Sequence, residues 1–273
     1  MITLNSLFIY PVKSLAGIEV NAWEVTKTGL KYDRQWMLVD AEKRLLSQRS
    51  HPQMALIKTA IQAQQLIISA PNQQSLYLDL TPKSSAIINI DIWDEFCEAH
   101  TISQEANQWF SDVLGEPCEL VYQAESAIRA VDPKYANTSD QTAFSDGFPF
   151  LIASDASLAL LNQQMGLKLS MQRFRPNLVL TGCSSYAEDT WRRIRIGNIN
   201  FRLPKACSRC SVPQINPETA TIDDKEPLRT LARTRQWDNK VFFGQNALHN
   251  QTGILKIDDI VSIQESGTAQ PPL

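Results

Sequence analysis

The stretch "RRIRIGNINFRLPKACSRCSVPQ", residues 192–214, reads as a β-hairpin running into a cysteine pair. Ile194 and Ile196 alternate with Arg193 and Arg195, the period of two expected of a half-buried strand. Gly197-Asn198 is a two-residue turn that tolerates positive φ, and Ile199, Phe201 and Leu203 resume the alternation. Pro204 is expected to end the second strand and release the chain into a loop. That loop holds Cys207 and Cys210, with Arg209 beside the second. The pair could serve as a zinc clip, a redox dithiol, a disulfide, or a single thiolate next to a cation.

Outward from the hairpin, strand signals dominate. "SLFIY", "RQWMLVD", "ALIKTAI", "LIISA", "SLYLDL" and "IINIDIW" are short, rich in β-formers and separated by turn residues. Helices are fewer. In "SQEANQWFSDVLGEP" Ser103 is a candidate N-cap; Ala106, Trp109, Phe110, Val113 and Leu114 share one face, and Gly115 sits at the stop. "SDASLALLNQQMG" repeats the plan from Ser154 to Gly166, and "EPLRTLARTRQ" predicts a third helix with Pro227 in its first turn. The pattern predicts a mainly β protein with a few helices, built as barrels or curled sheets. A seam is expected near residues 120 to 126. This divides the chain into units 1–122 and 123–265, with 266–273 a disordered tail.

The 273 residues are 43% hydrophobic and 20% charged, enough apolar material for a packed core throughout. A net charge of −3 argues against a general nucleic-acid binder. The apolar N-terminal run is short and broken by Pro11 and Lys13, so no signal peptide or membrane span is expected, and a soluble cytoplasmic setting follows. In that compartment the five cysteines should be free thiols or ligands.

Zinc is weakly supported. Cys97, Cys118 and Cys183 are scattered, and His51, His100 and His249 show no ligand spacing. A dithiol of the thioredoxin kind normally opens a helix, whereas here a hairpin precedes and prolines follow. A cysteine set for an iron–sulfur cluster is also lacking. Two readings remain open: a functional thiolate favoured by the adjacent Arg209, or two cysteines simply packed. Other cations lie at strand ends: Lys13 with Ser14, Arg34, and Arg175 ahead of Pro176 and Asn177. Singly each is an ordinary solvated charge. Together they would suit an anionic ligand.

Six blocks occur in order: "YPVKSLAG", "YDRQWMLVD", "RFRPNLVLTGCSSYAEDTW", "ACSRCSVPQINPETA", "KEPLRTLARTRQ" and "FFGQNA". Together they resemble the MOSC-domain family, of the mitochondrial amidoxime-reducing component and bacterial YcbX type, from about Leu7 to about Val261. The resemblance implies a MOSC N-terminal β-barrel domain over 1–122, a MOSC domain over 123–265, and a cofactor cleft between them.

It also implies a molybdenum cofactor, Mo-molybdopterin, with Cys210 as catalytic residue and direct metal ligand, a soft donor suited to that metal. Lys13, Ser14, Arg34 and Arg175 would hold the cofactor, with Asn177 fixing the same turn. Ser208 and Arg209 would sit against the metal, Arg209 also supporting the Cys210 thiolate. The block "FSDGFPFLIAS" adds Asp146, Gly147 and Phe148 through their backbone. Cys207 matches a position that does not bind metal and keeps its reading as packing.

The implied activity is reduction of N-hydroxylated compounds: amidoximes, hydroxylamines and N-hydroxylated bases. The blocks end without the ferredoxin domain of longer YcbX-type proteins, so electrons should come from a separate soluble donor of ferredoxin or flavin-reductase type. The competing reading is a molybdenum-cofactor or sulfur carrier without turnover of its own.

Overall fold

A computed structural model describes residues 1–82, 86–93, 95–123, 127–222 and 224–271. The chain is mainly β, with three α-helices among the described residues. The expected hairpin forms, with Trp191–Ile196 paired to Ile199–Ser208 so that Ile196 faces Ile199 and Gly197 takes φ 56°. It lies in the larger of the sheets. From one edge the strand order is Val261–Ser266, Trp191–Ile196, Ile199–Ser208, Lys240–His249, Phe150–Ser154, Leu178–Thr181, Thr3–Ile9 and Ile18–Val20. The ends of this order come together. Thr3 bridges Ile260, and the Val261 N–H donates to the Ile2 carbonyl at 2.9 Å, which curls the sheet towards a barrel.

Only one neighbouring pair in that order is parallel, Phe150–Ser154 with Leu178–Thr181. A parallel pair needs a crossover, and helix α2 (Asp155–Met165) supplies it. All five residues of Phe150–Ser154 are buried, as expected of a strand covered on both faces. Leu4, Leu7, Ile9, Ile152, Leu180, Ile194, Ile196 and Phe201 build the core of this unit. A second sheet runs Trp36–Val39, Glu119–Tyr122, Glu95–Thr101, Ile87–Ile92. Helix α1 (Gln104–Leu114) packs Ala106, Trp109 and Phe110 into a core with Trp36, Leu38 and Leu120. Both helices start and stop as their sequences predict. Ser103 and Ser154 accept from the N–H groups of Ala106 and Ser157, and Gly115 and Gly166 close them at φ 78° and 68°. The third helix, α3, spans Leu228–Thr234.

Two expectations are corrected. Pro204 does not end its strand. Against the strand Lys240–His249, Arg202 pairs with Leu248 and Lys205 with Asn246, so Leu203 and Pro204 together oppose one residue. This β-bulge tolerates the missing N–H of proline, and the strand continues to Ser208. Glu119–Tyr122 is a strand between Trp36–Val39 and Glu95–Thr101, and residues 124–126, inside the stretch expected to hold the seam, lie outside the described residues. The tail is not free over 266–271. The N–H of Gly267 donates to Thr190 O at 2.8 Å and that of Gln270 to Asp189 O at 2.9 Å, because a polar segment laid on the sheet's edge finds backbone partners there. Residues 272–273 lie outside the described residues.

Candidate functional site

A cleft opens where the two units meet. Ten of the eleven residues singled out above line it: Lys13, Ser14 and Arg34 from the N-terminal part; Asp146, Gly147 and Phe148 from the segment before Phe150–Ser154; and Arg175, Asn177, Arg209 and Cys210. Ser208 does not. It ends its strand exposed, away from the cleft lining.

The floor is cationic and built on strained backbone. Ser14, Arg34 and Arg175 take φ of 70°, 51° and 56°, a region costly for residues with a Cβ. Long-range bonds hold them there. The N–H of Arg34 donates to Tyr10 O at 2.8 Å, its carbonyl accepts from the Phe144 N–H at 2.9 Å, and Gln48 Nε2 reaches Ser14 O at 2.6 Å. Both guanidiniums lie against one ring: Arg34 is 4.2 Å and Arg175 4.3 Å from the centroid of buried Tyr10. Burial pushes the Tyr10 hydroxyl up to about 12, so it stays protonated and donates to Pro176 O at 3.1 Å. Burial, followed by the like charge of Arg34, draws Arg175 down to about 10, which leaves it cationic near neutral pH.

Lys13 is 5% exposed and donates 2.6 Å bonds to Phe144 O and Asp146 Oδ1. Desolvation lowers its affinity for a proton, against the pull of the Asp146 carboxylate. Asp146 shows the converse. Desolvation works against its charge, but Lys13 outweighs this and holds the carboxyl well below the usual range.

Asn177 is expected to fix the turn after Arg175, and its bonds are structural. It is 2% exposed and its amide is fully engaged: Nδ2 donates to Phe8 O and Asp33 Oδ2, and Oδ1 accepts from the Leu151 N–H. Asp33 also accepts from Arg34 at 2.5 Å and from the Tyr10 N–H at 2.7 Å. Asn177 therefore knots three strands and Asp33 beneath the cleft, with no amide atom left for a ligand.

The cysteines also depart from expectation. Cys207 is not packed away. It is half-buried, lines the cleft and accepts a hydrogen bond from Arg209 Nη1 at 3.1 Å. Arg209 thus turns to Cys207 rather than Cys210; its Nη2 donates to Phe174 O at 2.8 Å, and its Nε is buried without a partner. Cys210, also half-buried, lies just past the strand end on the cleft wall. Sequence reasoning missed the opposite wall. Ser47, Gln48, Arg49 and Trp93 line it, from segments whose position depends on how the second sheet packs.

The lining carries five cations, Lys13, Arg34, Arg49, Arg175 and Arg209, against one carboxylate, Asp146. Two thiols stand among them. Such a lining suits a multiply anionic ligand.

Comparison with known proteins agrees. A MOSC N-terminal beta barrel domain matches residues 1–117, and a MOSC domain matches residues 139–262. Mitochondrial amidoxime-reducing component 1 of Homo sapiens is 34% identical over 277 residues, covering 95% of this chain and 82% of that protein.

The chain belongs to the MOSC-domain family, in its amidoxime-reducing-component group.

The Mus musculus mitochondrial amidoxime-reducing component 1 is similar too, at 32% identity over 280 residues, 95% of this chain and 81% of that protein. A molybdenum cofactor sulfurase of Oryza sativa subsp. japonica is 32% identical over 263 residues, 89% of this chain but 32% of its own length. A molybdenum-cofactor-related role thus follows for this MOSC chain. No helix among the described residues is long and apolar enough to cross a membrane.

Proposed function

We propose that the protein is a molybdenum-cofactor-dependent reductase of N-hydroxylated compounds, with Cys210 as the metal's protein ligand. The observation that carries this reading is the excess of five cations over one carboxylate around a cleft holding a half-buried thiol. The residues present fit the cofactor. Arg209 Nε is a buried donor awaiting an acceptor, and Arg34 and Arg175 offer guanidiniums already oriented by Tyr10. Among the described residues no group of three or more His, Cys, Asp or Glu could hold a metal, so a metal here needs its remaining ligands from the cofactor.

When bound, the cofactor supplies two electrons and a Lewis-acid centre. The protein's part is to bind and orient. Arg34, Arg175 and Lys13 would neutralise the phosphate that the pterin carries, with Tyr10 fixing both guanidiniums from below. The Cys210 sulfur would hold the metal just past the strand end. Asp146, held ionised by Lys13, does not donate protons near neutral pH. Protons come from water at the open mouth of the cleft. Overall an amidoxime gains two electrons and two protons, its N–O bond breaks, and an amidine and water leave.

Electrons arrive from a separate soluble protein of ferredoxin or flavin-reductase type. The five cysteines are free, which suits a reducing, cytoplasmic setting. Resemblance to the cofactor sulfurase keeps a second reading in view, a carrier that hands its cofactor onward. One experiment separates the two. Molybdenum-loaded protein with a reduced viologen should convert benzamidoxime to benzamidine, and should not oxidise NADH unaided. Loaded protein that reduces no N-hydroxylated compound, yet activates an apo-enzyme by transfer, overturns the reductase reading.

A further inference from the structure

Trp93 stands at the cleft mouth, 40% exposed, at φ 58°. Ile92 pairs with Glu95, so Trp93 opens a hairpin turn, where a positive φ matches the twist of the strands. Two contacts hold its indole. The indole Nε1 donates to Asp146 Oδ1 at 3.1 Å, the carboxylate that also holds Lys13. The guanidinium carbon of Arg49 lies 4.1 Å from the ring centroid. Arg49 is exposed and rooted in the loop that supplies Ser47 and Gln48 to the same cleft.

A guanidinium is a planar sp² carbon carrying nitrogens. An amidoxime or N-hydroxyguanidine has that same planar head. The Arg49 side chain therefore shows what the indole face accepts, and it sits within the cleft that holds Cys210.

We propose that the Trp93 indole is the platform on which the planar head of an amidoxime or N-hydroxyguanidine stacks, in the place Arg49 holds in the free protein. The inference rests on the reductase reading above and names the residue that positions the substrate at that site. Arg49 is then a built-in competitor. It covers the platform between turnovers and must swing away for substrate. Charge gives the cycle its direction. An amidoxime is a weak base, neutral near pH 7, whereas the amidine product is a strong base that takes up a proton. Product is thus a cation beside the Arg49 guanidinium, and repulsion between the two, with the return of Arg49 to the indole, favours its departure.

The test uses molybdenum-loaded protein, with rates normalised to metal content. Arg49→Ala should lower the KM for benzamidoxime about threefold, the scale of one exposed cation–π contact. It should strengthen inhibition by benzamidine by a similar factor. Trp93→Leu should raise the KM at least about fivefold, and Trp93→Phe, which keeps a flat ring, should restore most of that loss. A rise in KM in both Arg49→Ala and Trp93→Leu would overturn the proposal, because a merely structural pair moves both in one direction. Equal losses in Trp93→Phe and Trp93→Leu would do so as well, assigning the effect to the bond with Asp146. If wild type fails to reduce benzamidoxime, the reductase reading fails and the platform is judged by calorimetry of benzamidoxime binding. Tighter binding in Arg49→Ala with loss in Trp93→Leu upholds it, and equal binding in all three proteins overturns it.

Discussion

Arg209 donates a hydrogen bond to Sγ of Cys207 at 3.1 Å, not to Cys210, its neighbour in sequence. In an extended chain residues i and i+2 share a face, so Cys207 and Arg209 meet as the strand ends. The other end of the guanidinium holds Phe174 O, the residue before Arg175. Cys207 thereby helps tie the thiol-bearing strand end to the cationic turn across the cleft.

The two cysteines should separate cleanly by metal analysis. In protein made in a cofactor-competent host, Cys210→Ser should lose nearly all molybdenum and activity. Cys207→Ser should retain the metal and most activity, because a serine oxygen can still accept from Arg209. Full molybdenum-dependent turnover in Cys210→Ser would remove Cys210 from its assigned role.

Arg175→Ala deletes a guanidinium whose Nη1 donates to Leu15 O at 2.6 Å and which lies on Tyr10. A charge-assisted contact to an anion is worth about 1.5 to 3 kcal/mol, tenfold or more in affinity. Measured pterin content should fall accordingly, in protein that remains folded by circular dichroism. Pterin equal to wild type at equal purity would count against the assignment.

Asn177→Ala should act on the fold itself. It leaves the Leu151 N–H without its side-chain acceptor and removes a donor from buried Phe8 O and Asp33. Each buried group left unpaired costs about 1 to 3 kcal/mol. Urea denaturation should show a loss of roughly 2 to 4 kcal/mol, and a midpoint equal to wild type would refute the knot.

Glu188 predicts a pH dependence. It is 0% exposed, its carboxyl accepts from Ser157 Oγ at 2.7 Å and from Ser154 Oγ, and burial raises its affinity for a proton. The folded protein holds the proton longer than the unfolded chain, which releases it near the ordinary value of 4.5. The stabilising contribution is thus complete below that pH and is lost as pH rises towards the elevated folded value. Glu188→Gln, uncharged throughout, should raise Tm more at pH 8 than at pH 5 relative to wild type. Equal shifts at both values would show that Glu188 is ionised in the fold.

The sequence made some features plain because their signals are local. Ser103, Ser154, Gly115 and Gly166 mark the two longer helices with side-chain and backbone chemistry that acts within a few residues. The strand Glu95–Thr101 gave no such signal. Its one large apolar residue, Phe96, is exposed, and only Ala99 is fully buried, because packing rather than alternation holds it between two partners. Lys240–His249 hides behind Gly244, which reads as a breaker. In the fold it takes φ 78° where an added Cβ would lie 2.8 Å from Ile152 O. In the site, block order pointed to Lys13, Arg34, Arg175 and Cys210. Arg49 and Trp93 stayed invisible, since only tertiary packing brings a loop and a hairpin turn from the second sheet to the same mouth.

The strand Thr3–Ile9 lies inside the larger sheet, with Leu7 opposite Leu178. During synthesis Ile18–Val20 follows that strand at once, but its other partner comes 171 residues after Leu7 (178 − 7 = 171). At about 5 to 20 residues per second the wait is roughly 10 to 30 seconds. The N-terminal part therefore cannot finish folding as it emerges. It must be held open, by its own second core or by a chaperone, until Leu178–Thr181 arrives. A ribosome stalled before residue 178 should carry a nascent chain sensitive to protease at residues 3–9, with protection appearing only after that strand clears the exit tunnel.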